Sequence, residues 1–190
     1  MSRLNLQLFD DPVTEPAAAE TAQTATTVKG KRILYLFRLL KDAASKSGVN
    51  IAYTTENSNN MSRDSDSTET KDGPITTPGT LETTISATAI LSVGGESMTY
   101  DDIRDAMIDD EMFEIWEVNL DNPGETDGKY KGLYMRGKCT SCELSSPADD
   151  NAEADLEWAI NGIPQKGDVT VNNASIAASA YAFRDAIPSA

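Results

Sequence analysis

Histidine is missing from all 190 residues of this chain. That removes the commonest general base near neutral pH and the commonest zinc ligand, so Ser-His-Asp, Cys-His and zinc-hydrolase schemes have nothing to work with. Cysteine is nearly missing too. Cys139 and Cys142 form one Cys-Thr-Ser-Cys, with no second pair to complete a zinc site. Residues 130–144 read as a strand, on which positions three apart point to opposite faces, so the two thiols are expected not to converge. Positive charge is scarce: 16 Lys and Arg stand against 31 Asp and Glu, a net charge of −15. Gripping nucleic-acid phosphates takes basic grooves, which this balance argues against. No window is long and apolar enough to span a bilayer. Residues 1–11 contain Leu4, Leu6, Leu8 and Phe9 but lack the basic run and cleavage site of a secretory signal. A membrane partner and export are therefore not expected, and cysteines kept in the cytosol stay reduced.

What the chain does have is an unusual polar stretch. Residues 57–79, NSNNMSRDSDSTETKDGPITTPG, hold only Met61 and Ile75 as large apolar side chains. They sit between 51–56 and 80–91, which both read as strands. A polar connection this long is uncommon inside a compact domain unless it has a task of its own. Charged residues alternate with Ser and Thr from 63 to 71, and Gly-Pro and Pro-Gly pairs close the segment. The pattern suits a β-hairpin arm over residues 56–80 with two polar faces, reaching for something other than its own core.

The length suits one domain plus tails. Residues 10–28, rich in Ala, Thr and Glu, cannot bury enough apolar surface to offset ordering, so 1–28 is expected to be a flexible arm and 29–190 the folded domain. Ile33 to Phe37 is apolar on both faces, as in a strand covered from both sides. A short helical turn is expected within 39–47 and a strand over 49–56. Leu81, Thr83, Ile85, Ala87, Ala89 and Leu91 alternate with Glu82, Thr84, Ser86 and Thr88, which predicts a half-buried strand with one polar face. Thr99 is placed to cap a helix whose stripe is Tyr100, Ile103 and Met107, with Ala106 beside it. Further strands are expected over 112–120, 130–144 (bulged at Gly132 or Gly137), 155–160 and 168–171, and a terminal helix over 172–187. Phe37, Ile85, Trp116, Trp158 and Ile160 are the expected core. The tally is mainly β: a sandwich or barrel of two packed β-sheets flanked by an α-helix.

Carboxylate clusters are the only catalytic or metal-binding material. Asp64 with Asp66, or Asp101 with Asp102 and Asp105, could stand as an acid pair. Carboxylates in a solvated polar loop have nothing buried to raise a pKa, and no calcium-loop motif surrounds the helical aspartates. No enzyme activity, metal or cofactor is expected.

Several segments, taken in order, resemble one family: 29–40 (KGKRILYLFRLL), 62–73 (SRDSDSTETKDG), 114–120 (EIWEVNL), 128–137 (GKYKGLYMRG), 160–167 (INGIPQKG) and 181–185 (YAFRD). They look like the major tail proteins, or tail tube subunits, of long-tailed non-contractile phages of the lactococcal siphophage type. The resemblance implies two packed sheets and a helix, hexameric rings stacked into a hollow virion tube, and assembly in the host bacterial cytoplasm. It also implies tape-measure, tail terminator and distal tail proteins as partners, with double-stranded DNA passing through unbound. On that expectation Ser62, Arg63, Asp64, Asp66, Glu69 and Lys71 are candidate contacts to a neighbouring subunit or ring. Glu82, Thr84, Asp64 and Asp66 are candidates for the lumen wall, where carboxylates would repel phosphates within about 8 Å at physiological salt. The alternatives are another β-sandwich assembly, decoration or adhesion module, or a secretion-system-type tube subunit. Rings or tubes in electron micrographs separate the tube readings from the rest.

Overall fold

The computed structural model describes residues 25–172 and residue 176. The arm expected at 1–28 lies outside these apart from 25–28, which are exposed and carry no regular structure. The helix expected at 172–187 lies outside them apart from residues 172 and 176.

Seven strands form one antiparallel sheet: β1 (Ile33–Leu39), β2 (Thr54–Thr70), β3 (Gly73–Ile90), β4 (Phe113–Pro123), β5 (Lys129–Ser145), β6 (Glu153–Ile160) and β7 (Gln165–Thr170). Their order is β1-β4-β5-β6-β3-β2, with β7 also on β5. Gln165 and Ile160 pair with Tyr134 and Gly137, so β6 and β7 follow one another along β5, interrupted at 161–164. The two separate sheets expected from the sequence are thus a single sheet, and its curvature does the work of a sandwich. Phe37 on β1 lies three strands from Trp158 on β6, roughly 14 Å across a flat sheet, yet their ring centroids are 4.8 Å apart. Phe113 on β4 meets the same indole edge-on at 5.9 Å.

Backbone contacts at two glycines accompany this curl. A Cβ on Gly132 would sit 2.5 Å from the Glu117 carbonyl oxygen, and one on Gly137 would sit 2.4 Å from that of Ala159. An irregularity does fall beside one of these glycines, where the β4–β5 ladder breaks just past Val118↔Gly132, and a second falls at Thr140, where the β5–β6 register slips between Cys139 and Ser141. That extra residue corrects the reading of the cysteines. Cys139 pairs with Trp158 and Cys142 with Leu156, so both thiols turn to the same inner face instead of opposite ones. Both are free, and burial, then the neighbouring Cys142, pushes the Cys139 pKa up to about 11.

The inner face holds the main core: Tyr35, Phe37, Ile85, Ala87, Phe113, Ile115, Met135, Leu156 and Trp158, with Ile51. Helix α1 (Tyr100–Ile108) adds Ile103 and Ala106 to it. Thr99 and Asp102 form a reciprocal capping box at its start. Met107, expected on the buried stripe, is exposed, as is Leu91 at the end of its strand. Trp116 and Ile160 are only half-buried, whereas Phe37, Ile85 and Trp158 are fully enclosed. Residues 49 and 51 make isolated bridges rather than the strand expected there, and the turn after β1 is a short 3-10 segment, Leu40–Asp42.

The opposite face of β1 and β4 carries a second cluster, Leu36, Val118, Leu120 and Val171, against which Trp116, Val169 and Ile176 pack. Glu114 is buried beside it and fully engaged. Arg38 donates to Oε2 through Nε (2.9 Å) and Nη2 (2.6 Å), and Tyr134 Oη donates to Oε1 at 2.5 Å. The Arg38 guanidinium also stacks 5.0 Å from the Trp116 ring centroid. Both charge and hydrogen-bonding capacity are met, which a buried carboxylate requires.

Trp158→Ala should destabilise the fold by about 3–5 kcal/mol, the usual cost of emptying a large aromatic site; equilibrium unfolding measures it, and a curve that barely moves would contradict this core. The raised Cys139 pKa has a definite sign. The protonated thiol favours the folded state, so its contribution is complete below the ordinary value of 9.0 and is lost as pH climbs toward about 11. Native protein should therefore resist iodoacetamide at neutral pH at both cysteines, and unfolded protein should take up two labels. Rapid labelling of the native state would count against this packing.

Candidate assembly surface

β2 buries no residue, and β3 buries only Thr83, Ile85, Ala87 and Ala89 in its second half. β2 and β3 pair from Thr54↔Ala89 out to Thr70↔Gly73, closed by a turn at Lys71 and Asp72. Only the base of the hairpin is held by the body, because β3 pairs with β6 no further out than Thr84↔Ala159. Residues 60–72 and 74–80 are all exposed. At the rise of an antiparallel strand, the run from Gly73 to Glu82 stands off by roughly 30 Å. The ladder breaks once on the way, where Asp64 on β2 faces Gly79 and Thr80 on β3. Arg63 Nη1 donates to the Gly79 carbonyl at 2.9 Å across this kink.

β-branched residues explain why so polar a segment is extended. Thr68 pairs with Ile75, Asp66 with Thr77 and Ser67 with Thr76, side chains suited to a pleated surface. A two-stranded ribbon alone in water is at best marginally stable.

The sequence-derived contact residues all fall here, and all are exposed: Ser62, Arg63, Asp64, Asp66, Glu69 and Lys71. They do not form one patch. Ser62 lies opposite Glu82 at the base, Asp64 is at the kink, and Asp66, Glu69 and Lys71 are spread along the outer ribbon. None of Asp64, Asp66, Glu69, Lys71 and Glu82 makes an ion pair within the described residues. The helical aspartates differ: Asp102 caps α1, and Arg104 pairs with Asp101 at 2.8 Å and Asp105 at 3.1 Å.

Glu82 and Thr84 belong to a wider surface that sequence reading saw only in part. The outward side of β2, β3, β6 and the second half of β5 carries Glu56, Glu82, Glu143, Glu153, Asp155 and Glu157 among Ser58, Asn60, Ser62, Thr84, Ser86 and Thr88. Ser58 and Ser86 share a hydrogen bond at 2.7 Å, and Thr88 Oγ1 donates to Asp155 Oδ1 at 2.7 Å. None of these six carboxylates is in an ion pair within the described residues. Glu143 stands directly across from Asp155, a like-charge pairing that costs stability. The alternation of each strand was readable; which strands lie side by side, and so which carboxylates gather, was not.

On the inner side a polar contact joins the far edge of the sheet to its opposite half. Asn59 Nδ2 on β2 donates to Glu117 Oε2 at 2.6 Å, and Tyr35 Oη donates to the same oxygen at 3.0 Å. Burial, and then the Glu117 charge, push the Tyr35 phenol well above its ordinary pKa, so it remains a donor. Across the β5–β7 pair, Lys131 bonds Asp168 at 2.9 Å and holds its carboxyl below the usual range, assisted by the Glu125 amide.

Comparison with known proteins gives a consistent result. The profile of a family described as phage tail tube protein matches residues 27–166. A tail protein of Staphylococcus phage phiMR25 is 31% identical over 157 residues, covering 80% of this chain and 79% of that one. Among solved structures, the SPP1 tail tube superposes with a TM-score of 0.64 at 19% identity, over 80% of this chain and 84% of that one. A subunit in the virion of a native gene transfer agent particle superposes with a TM-score of 0.54 at 15% identity, over 74% of this chain and 99% of that one. At such identities these two likenesses speak to the fold alone.

Proposed function

The chain belongs to the phage tail tube protein family, as a tube-forming structural component of the tail, and on that premise we propose that it stacks as hexameric rings into the hollow tube of a long-tailed, non-contractile phage of the lactococcal siphophage type. The observation that carries this reading is the hairpin of β2 and β3. A body with a complete core extends a ribbon roughly 30 Å beyond it, with polar faces, no core of its own and every candidate contact exposed. Strand edges supply affinity through main-chain hydrogen bonds without apolar side chains, which matches this composition. Ser62, Arg63, Asp64, Asp66, Glu69 and Lys71 are the residues by which the arm meets a neighbouring subunit or ring.

The hydroxyl- and carboxylate-rich outer face of β2, β3, β6 and β5 is the lumen wall in this reading, with Glu82 and Thr84 inside it and Asp64 and Asp66 at its margin. Ile90 and Ala159 are its only apolar side chains among the described residues, too few to anchor a second protein layer, and its carboxylates, free of ion pairs, repel phosphate. Screening confines that repulsion to roughly 8 Å at physiological salt, so the charge acts as a near-wall layer along which DNA slides. The tape-measure protein occupies the bore before ejection, the tail terminator and distal tail proteins close its two ends, and assembly takes place in the cytoplasm of the host bacterium.

Deleting residues 62–73 should leave a soluble, folded subunit that no longer polymerises. Electron microscopy of concentrated protein checks this, and full-length tubes from the deletion variant would remove the arm from assembly. Replacing Glu82 and Thr84, which lie outside the arm contacts, with Lys should leave tubes intact but slow DNA release, most at low ionic strength, because new phosphate contacts are salt-dependent. Ejection kinetics after receptor triggering, followed across a salt series, test that; identical kinetics at every salt concentration would place these residues off the lumen.

A further inference from the structure

The outer arm has two margins, and they are not equivalent. Beyond the kink the register runs Ser65↔Pro78, Asp66↔Thr77, Ser67↔Thr76, Thr68↔Ile75, Glu69↔Pro74 and Thr70↔Gly73. In an antiparallel pair, successive positions alternate between residues whose N–H and C=O face the partner strand and residues whose groups face away. Proline has no N–H to give, so Ser65↔Pro78 and Glu69↔Pro74 are outward-facing pairs. Ser67↔Thr76, two positions from each, is the third. Along the β3 margin, only Thr76 of these three outward positions carries a donor. Along the β2 margin Ser65, Ser67 and Glu69 all do. β2 is the terminal strand of the sheet, so that margin is unpaired among the described residues. The β3 margin is equally bare beyond Thr84, where β6 has ended.

We propose that the arm docks by accepting a strand from a second copy of this chain along the β2 margin at residues 65–69, while Pro74 and Pro78 bar the β3 margin from pairing. This rests on the tube reading above and gives it a direction. A ribbon with two competent margins can recruit strands on both sides and grow sideways, the hazard that edge prolines suppress. With one competent margin, each arm takes a single neighbour. A contact in which one surface of a subunit meets a different surface of the next generates closed rings or open stacks, whereas self-complementary arm-to-arm pairing would end at a dimer. The acceptor is therefore the β2 margin, and the donor is an edge elsewhere on the body of the neighbour.

Ser67 and Thr76 are direct cross-strand partners, both exposed and both outward-facing, which makes a matched test available. Proline at either site removes one outward donor and no hydrogen bond within the hairpin. Ser67→Pro and Thr76→Pro subunits are compared with the unaltered chain by thermal unfolding, electron microscopy of polymer and amide hydrogen exchange. Both variants should melt as the unaltered subunit does. Ser67→Pro should lose tubes, Thr76→Pro should keep them, and the amides of 65, 67 and 69 should become protected in tubes of the unaltered chain while that of 76 stays open. Tubes from Ser67→Pro in undiminished amount, loss of tubes from Thr76→Pro, or unprotected amides at 65–69 would overturn the proposal and leave the tube reading standing. Failure of the unaltered chain to polymerise would instead overturn the tube reading, and this inference with it.

Discussion

Trp158 is the residue that the rest of the fold is arranged around. A single antiparallel sheet has two faces and no second layer to cover either, so it must bend until one face covers itself. The indole is where that happens: it is fully enclosed, touched by Phe37 from β1 and Phe113 from β4, and flanked in register by Ile85 and Cys139. Bending brings neighbouring backbones too close for side chains at Gly132 and Gly137, and the bulge at Thr140 resets β5 so that Cys142 as well as Cys139 faces inward. Helix α1 then adds Ile103 and Ala106 to the same interior.

The outward side is divided between two uses. Over β1, β4 and β7 it is apolar, and its one buried charge, Glu114, is neutralised by Arg38 and bonded to Tyr134. Over β2, β3, β6 and the end of β5 it is hydroxylic and acidic, with Glu143 against Asp155. Carboxylates gathered without counter-charges lower the stability of an isolated subunit. In the proposed tube that cost would be offset by repulsion toward a passing polyanion.

Much of this was legible in the residues. The alternation around Ile85 and Trp158 assigned faces correctly because each strand has one wet side and a period of two. Thr99 announced the helix through the chemistry of its cap. The sandwich reading failed because residue patterns report which face is buried, not whether the covering layer is the same sheet curled over or another one. The cysteines were assigned to opposite faces because a one-residue bulge inverts alternation and Thr140 carries no signal of it. Met107 was placed on the buried stripe because helical spacing marks a face but not its width, and the sheet beneath α1 buries Ile103 and Ala106 and packs against Tyr100 without reaching Met107.

The kink at Asp64 also has a mechanical meaning. A β-ribbon is stiff in proportion to the continuity of its ladder, and this ladder slips twice, at Thr55 in its base and again at Asp64, outside the last residues anchored to the body. In the proposed tube, torque on the outer arm would be taken up at Asp64 and Gly79 before it strained the packing around Trp158. A filament assembled from such parts resembles a spine: each unit keeps its shape, compliance resides in the joints between them, and the whole can flex without its bore collapsing.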